Sequence, residues 1–175
     1  MMNVAETNPP ADQQAGADSQ QNLLIQTFTL KPVAAVNDVR VAIPSLAMNA
    51  RDGIRCRVIG TGGKIAQAGS DEGNIFVWQR QILTPDTATE HMGLLKGGYV
   101  TVGEWDDDPR LWDKIVKTDF FTLRCVHAVQ TSTPELAQFL RQFNPNIAIF
   151  QNQISDLPPM RPDESFRRPV RLFFG

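Results

Sequence analysis

The residues whose types could do chemistry are few and scattered. The run Val58–Ala66, VIGTGGKIA, combines glycines with a lysine, the ingredients of a loop that wraps phosphate in backbone amides. A phosphate loop would need glycine where Val58 stands, and serine or threonine where Ile65 follows Lys64. A dinucleotide fingerprint would need its third glycine at the same Ile65. A glycine-rich turn with a solvated Lys64 explains these residues more simply. Cys56 and Cys125 lie in strand-like runs, where a free cysteine is usually a small buried hydrophobe. A catalytic thiol would need a histidine, and His127 is two residues from Cys125, but neighbours along one strand seldom converge for proton transfer. His91 and His127 are the only histidines, so a histidine-rich zinc site is excluded, and no nucleophile elbow supports a serine triad.

TGGKIA, residues 61–66, is similar to the TGGTIA element of bacterial-type asparaginases, which implies a nucleophile at Thr61. Lys64 replaces the middle threonine, the second threonine-aspartate motif is missing, and the chain is about half the length of that family. A hydrolase using Thr61 is therefore the weakest reading. Glu104, Asp106, Asp107, Asp108 and Asp113 form a dense acidic stretch near Trp105 and Trp112. The glycine of a calcium loop is absent, so the expectation is a solvated loop with Arg110 and Lys114 as local partners, and no metal. Arg51, Arg55 and Arg57, with Arg167, Arg168 and Arg171 near the C-terminus, are the candidates for a phosphate-facing, nucleic-acid-binding surface. The bland alternative is an edge strand whose charges discourage aggregation.

The elements that would position these groups read mostly as strands. Leu23–Leu30, Val39–Ile43, Ile54–Ile59, Ile75–Ile82, Tyr99–Val102, Phe120–Val129, Ile147–Phe150 and Val170–Phe174 alternate or are rich in β-formers, and Pro44 stops the second run. One helix is well signalled. Ser132-Thr133-Pro134-Glu135 offers a capping box, Leu136, Phe139, Leu140 and Phe143 form an apolar stripe, and Asn144-Pro145 ends it. His91 falls in an expected loop over 84–95. About eight short strands punctuated by glycine and proline predict an all-β fold, an antiparallel sandwich of the jelly-roll kind with one short helix.

Length and charge set the frame. The 175 residues suit one domain, with 17 basic and 19 acidic side chains for a net charge of -2. Residues 1–22 hold Glu6, Asp12 and Asp18 and no base, so this polar arm is net -3 and residues 23–175 are net +1. Such an arm cannot bury enough apolar surface to order itself, and residues 156–162, DLPPMRP, lead into an extended proline-rich C-terminal strap. No run approaches a membrane span, and no secretory signal opens the chain. The cysteine usage fits a reducing, cytosolic setting.

Taken with IFVWQRQILTP (75–85), FTLRCVHAVQ (121–130), PELAQFLRQFNPN (134–146) and the proline-bearing tail, this pattern resembles the jelly-roll coat proteins of small icosahedral viruses, picorna-like or satellite. The resemblance implies a structural, non-enzymatic, self-assembling capsid subunit located in the virion, and in host cytoplasm during assembly. Its implied partners are copies of itself, other coat subunits and nucleic acid through the arginine strands, with no cofactor and no membrane. Trp78, Trp105, Trp112, Phe173 and Phe174 are the interface candidates, since aromatic side chains anchor such contacts. Many such coat proteins have a basic arm, whereas this arm is acidic. The rival class is a β-sandwich module binding carbohydrate or protein through Trp105, Trp112 and the acidic loop.

Overall fold

A computed structural model describes residues 22–29 and 37–151. Within them six strands form one sheet in the order β2-β1-β3-β4-β5-β6, and every neighbouring pair is parallel. The strands are β1 (Asn22–Phe28), β2 (Ile54–Ile59), β3 (Glu72–Gln79), β4 (Val100–Glu104), β5 (Ala128–Thr131) and β6 (Ile147–Ile149). Five helices accompany them: α1 (Ile43–Asn49), α2 (Thr89–Lys96), α3 (Asp113–Lys117), α4 (Phe121–Arg124) and α5 (Pro134–Leu140).

The antiparallel jelly roll is thus overturned: the chain is mixed α/β with a single parallel sheet. Parallel neighbours cannot be joined by hairpins and need a crossover between them, so the glycine and proline clusters end crossovers rather than make hairpin turns. The expected strand Val39–Ile43 is a π-helical turn, Asp38–Ala42, running straight into α1. The long strand expected over Phe120–Val129 is the short α4 followed by β5, and β-forming residues there yield to tertiary packing. His91 lies on α2 rather than in a loop. β2 and α5 fall where the sequence places them, with Thr133 as N-cap accepting from the Leu136 amide at 3.2 Å. The arm (apart from Asn22, which opens β1), the strand Val170–Phe174 and the C-terminal strap lie outside the described residues.

Strand order explains where the helices go. The chain steps from β1 to β2 in one direction and from β2 onward in the other, so crossovers of one hand must lie on opposite faces. α1 alone takes one face. The 60–71 connection and α2 to α5 take the other, where Phe76, Trp78, Leu94, Ile115, Leu123, Val129 and Leu140 form the core. Gln26 of β1 is buried on that core face. Its side-chain amide donates to the Ala66 carbonyl at 2.9 Å and accepts from the Ala66 amide at 2.8 Å, which straps the 60–71 connection across the strand. His91 accepts from the Trp78 indole at 3.2 Å, and its other ring nitrogen meets the Cys125 carbonyl at 2.8 Å. Phe120, in a left-handed conformation at φ 55°, stacks on Phe143 with ring centroids 4.1 Å apart and closes the α5 end of this layer.

Candidate functional site at the carboxyl edge of the sheet

In open parallel sheets the crevice outside the carboxyl ends of the strands, where strand order reverses, is the place ligands bind. Here that reversal lies between β1 and β3, and the strand ends beside it are unusually polar. The layer below the edge is Val77 on β3, Val102 on β4 and Ala128 on β5. One step up the same face it becomes Gln79, Glu104 and Gln130, register partners in a row. Gln79 and Glu104 are buried, at 5% and 1% exposure. Gln79 Nε2 and Glu104 Oε2 have no protein partner. A buried polar atom left unpaired costs about 1–3 kcal/mol, so two on adjacent strands single this row out as the candidate site.

Arg40 arches over this row from the π-helical turn. Its Nε pairs with Glu104 Oε1 and lies 3.7 Å from Asp106 Oδ2. The turn has a local cause in Pro44, which cannot donate and whose ring crowds the carbonyl four residues back, that of Arg40 itself. The helix widens ahead of it, and the Ile43 amide donates to Asp38, five residues back. On the other side Arg80, at φ 50°, leaves β3 with its amide donating to the Glu104 carbonyl at 3.0 Å. Its side chain reaches Asp106 at 2.6 Å and Asp107 at 2.7 Å. A non-glycine residue held in that region stores backbone strain, a recurrent feature of functional sites.

Burial dominates the electrostatics of Glu104 and pushes its pKa up to about 7, against the pull of the Arg40 guanidinium. At neutral pH this carboxyl therefore exists in both forms, able to donate a hydrogen bond in one and accept in the other. With Asp106 and Asp107 paired against Arg40 and Arg80, the cluster carries no surplus of positive charge to attract a phosphate. An open groove of about 500 Å³ lies between Thr84, Asp86 and the α3 side chains Asp113, Lys114 and Lys117. Its charged groups are exposed and converge on nothing.

The acidic stretch is therefore not one solvated loop. Glu104 is buried and Asp106 half-buried beneath arginines, while Asp108 caps a short 3₁₀ turn (Pro109–Leu111) through the Arg110 amide and pairs with the Arg110 side chain at 2.6 Å. Among the described residues no three metal-ligating side chains cluster. Trp78 and Trp105 are core residues, and only Trp112, 37% exposed and edge-on to Trp105 at 6.3 Å, reaches the surface. Arg51 and Arg57 are exposed at the β2 edge, and Arg55 there is bound by Glu72 at 2.7 Å. Phe173, Phe174, Arg167, Arg168 and Arg171 lie outside the described residues. Thr61 sits in the tight turn after β2, where Gly62 has φ 79° and a Cβ on Gly63 would meet Ile59 Cγ2 at 2.6 Å. Burial pushes the Cys125 thiol up to about 11 and raises that of Cys56, which suppresses the thiolate of both.

Gln79, Arg40 and Gln130 were not among the sequence candidates, and Glu104 stood only within the acidic stretch. The usable signal was positional: apolar runs ending in Gln-Arg at 79–80 and Gly-Glu at 103–104 put polar side chains at strand ends. No protein-family model matches this chain, and no curated protein matches it in sequence.

Proposed function

We propose that the chain is a small-molecule-binding α/β domain that takes a neutral ligand bearing a vicinal diol, the chemistry shared by sugars and nucleosides, at the carboxyl edge of its sheet. The observation that carries this is the adjacent, unpartnered pair Gln79 Nε2 and Glu104 Oε2 beneath Arg40. An amide donor beside a carboxyl matches two neighbouring hydroxyls, each of which both donates and accepts. The absence of a phosphate loop in Val58–Ala66 and the balanced charge of the cluster favour a neutral group over a phosphate. Of the two ligand-binding readings open to the sequence, this is nearer the carbohydrate module, moved from a sandwich loop to a parallel-sheet edge. The parallel sheet overturns the jelly roll that the coat-subunit reading expected, and self-assembly itself is left to sizing of the particle.

Thermal unfolding with millimolar monosaccharide or nucleoside tests the reading. One of the two raises Tm, and Gln79→Leu, which keeps the packing volume and removes the donor, weakens binding about tenfold or more. A sugar that suffices alone identifies the saccharide class, and a nucleoside that binds where free sugar does not identifies the other. No shift with either, or equal shifts in wild type and Gln79→Leu, would remove the proposal.

A further inference from the structure

The polar row at the carboxyl edge runs one strand beyond the pair that carries the proposed site. Gln130 of β5 is the register partner of Glu104, and Ala148 of β6 is the partner of Gln130. The backbone there is held from both sides by the sheet, and the Gln130 carbonyl accepts from the Trp105 amide at 3.0 Å. The side-chain amide of Gln130 is half-buried and is bonded to none of the described residues. Gln26 is the contrast: it donates to the Ala66 carbonyl and accepts from the Ala66 amide, so a glutamine that serves the fold is paired at both ends of its amide. Toward β6 and one step down the same face, the neighbours of Gln130 are Ala148, which is exposed, and Ala128. Only methyl groups border it there, which leaves room for a flat group to lie against the sheet.

We propose that the ligand is a ribonucleoside rather than a free sugar, with its diol on Gln79 and Glu104 and the edge of its base on the Gln130 amide. This rests on the diol reading above. A side-chain amide presents one donor and one acceptor side by side, and it matches a planar edge that carries the same pair in reverse. Glutamine and asparagine read adenine in this way, through two parallel hydrogen bonds. Gln26 makes the same paired contact to Ala66 inside this fold. Strands about 4.8 Å apart place Gln130 one spacing beyond Glu104 and roughly 10 Å from Gln79. A ribose carries its base on the carbon next to its diol, so a diol held on β3 and β4 directs the base toward a neighbouring strand. A simple monosaccharide has hydroxyls for the first pair and no planar edge for the third group. The amide of an N-acetyl sugar is trans, and its donor and acceptor point apart.

The test is calorimetric titration of the full chain with methyl riboside, N-acetylglucosamine and the common ribonucleosides. It is repeated on Gln130→Met, which keeps the side-chain length and removes the amide, and on Gln130→Thr, which suits a strand. Thermal unfolding identifies the variants that fold. The expected result is at least one nucleoside bound about tenfold or more tighter than the riboside, the gain of two added hydrogen bonds. That margin disappears in the Gln130 variants, while their affinity for the riboside stays at the wild-type value. A riboside bound as tightly as every nucleoside, a margin that survives the loss of Gln130, or an equal margin for N-acetylglucosamine overturns the proposal and leaves the diol reading standing. Binding of none of these ligands removes the diol reading, and this proposal with it.

Discussion

Glu104 ties stability to pH in a direction opposite to most carboxylates. Its pKa is raised from 4.5 to about 7 in the fold, so between those values the folded chain holds a proton that the unfolded chain has released. Stability from this group is therefore fully present below about pH 4.5 and is lost as pH rises toward 7, by roughly 3 kcal/mol at about 1.4 kcal/mol per unit. Urea unfolding at pH 5 and pH 8 checks this, with Glu104→Gln expected to flatten the difference. An unchanged slope in that variant would assign the pH dependence elsewhere. The sequence brought Glu104 into view as one acid among several. It could not show that this acid ends a buried strand opposite Arg40, because the two are 64 residues apart and are brought together only by the order of the strands.

At the scale of elements, Pro44 is the informative residue. Reading alternation in Val39, Val41 and Ile43 as a strand stopped by proline was reasonable, since a proline inside a helix is rare. The helix instead accommodates Pro44 by widening just ahead of it, and the widened turn is what aims Arg40 at Glu104. Pro44→Ala removes the cause of the widening and lets the turn close. The guanidinium is then displaced and burial acts on Glu104 with less opposition, so its pKa rises above 7 and diol binding weakens. Carboxyl titration by NMR measures the first effect, and an unmoved midpoint would show that packing rather than Pro44 holds the turn open. β2 and α5 were legible because their signals are local, alternation bounded by glycine in one and Thr133-Pro134 in the other. α3 and α4, with five and four residues, are too short to display a period, and each sends one apolar residue, Ile115 or Leu123, into the shared core.

Over the whole molecule, the sense of the sheet was the feature the sequence hid. Arg55 and Arg57 alternate with Ile54, Cys56 and Val58, the pattern of a half-exposed antiparallel strand. β2 shows it because it is an edge strand, open to water along one side. The partly exposed Ile75, Val77 and Val102 on one face of β3 and β4 have the same effect, letting a two-sided sheet pass for a one-sided one. Sizing by light scattering separates the readings of the assembled state: the ligand-binding reading expects the 19.5 kDa chain as a monomer, and the coat-subunit reading large symmetric particles. The strand order also sets which parts of the backbone open first. Among the described strands β1 is the first in sequence yet is bonded on both sides, to β2 and to β3, whereas β6 is three residues long and bonded on one side. In deuterated solvent the amides of β1 should outlast those of β6, so that among the described strands the last in sequence opens before the first.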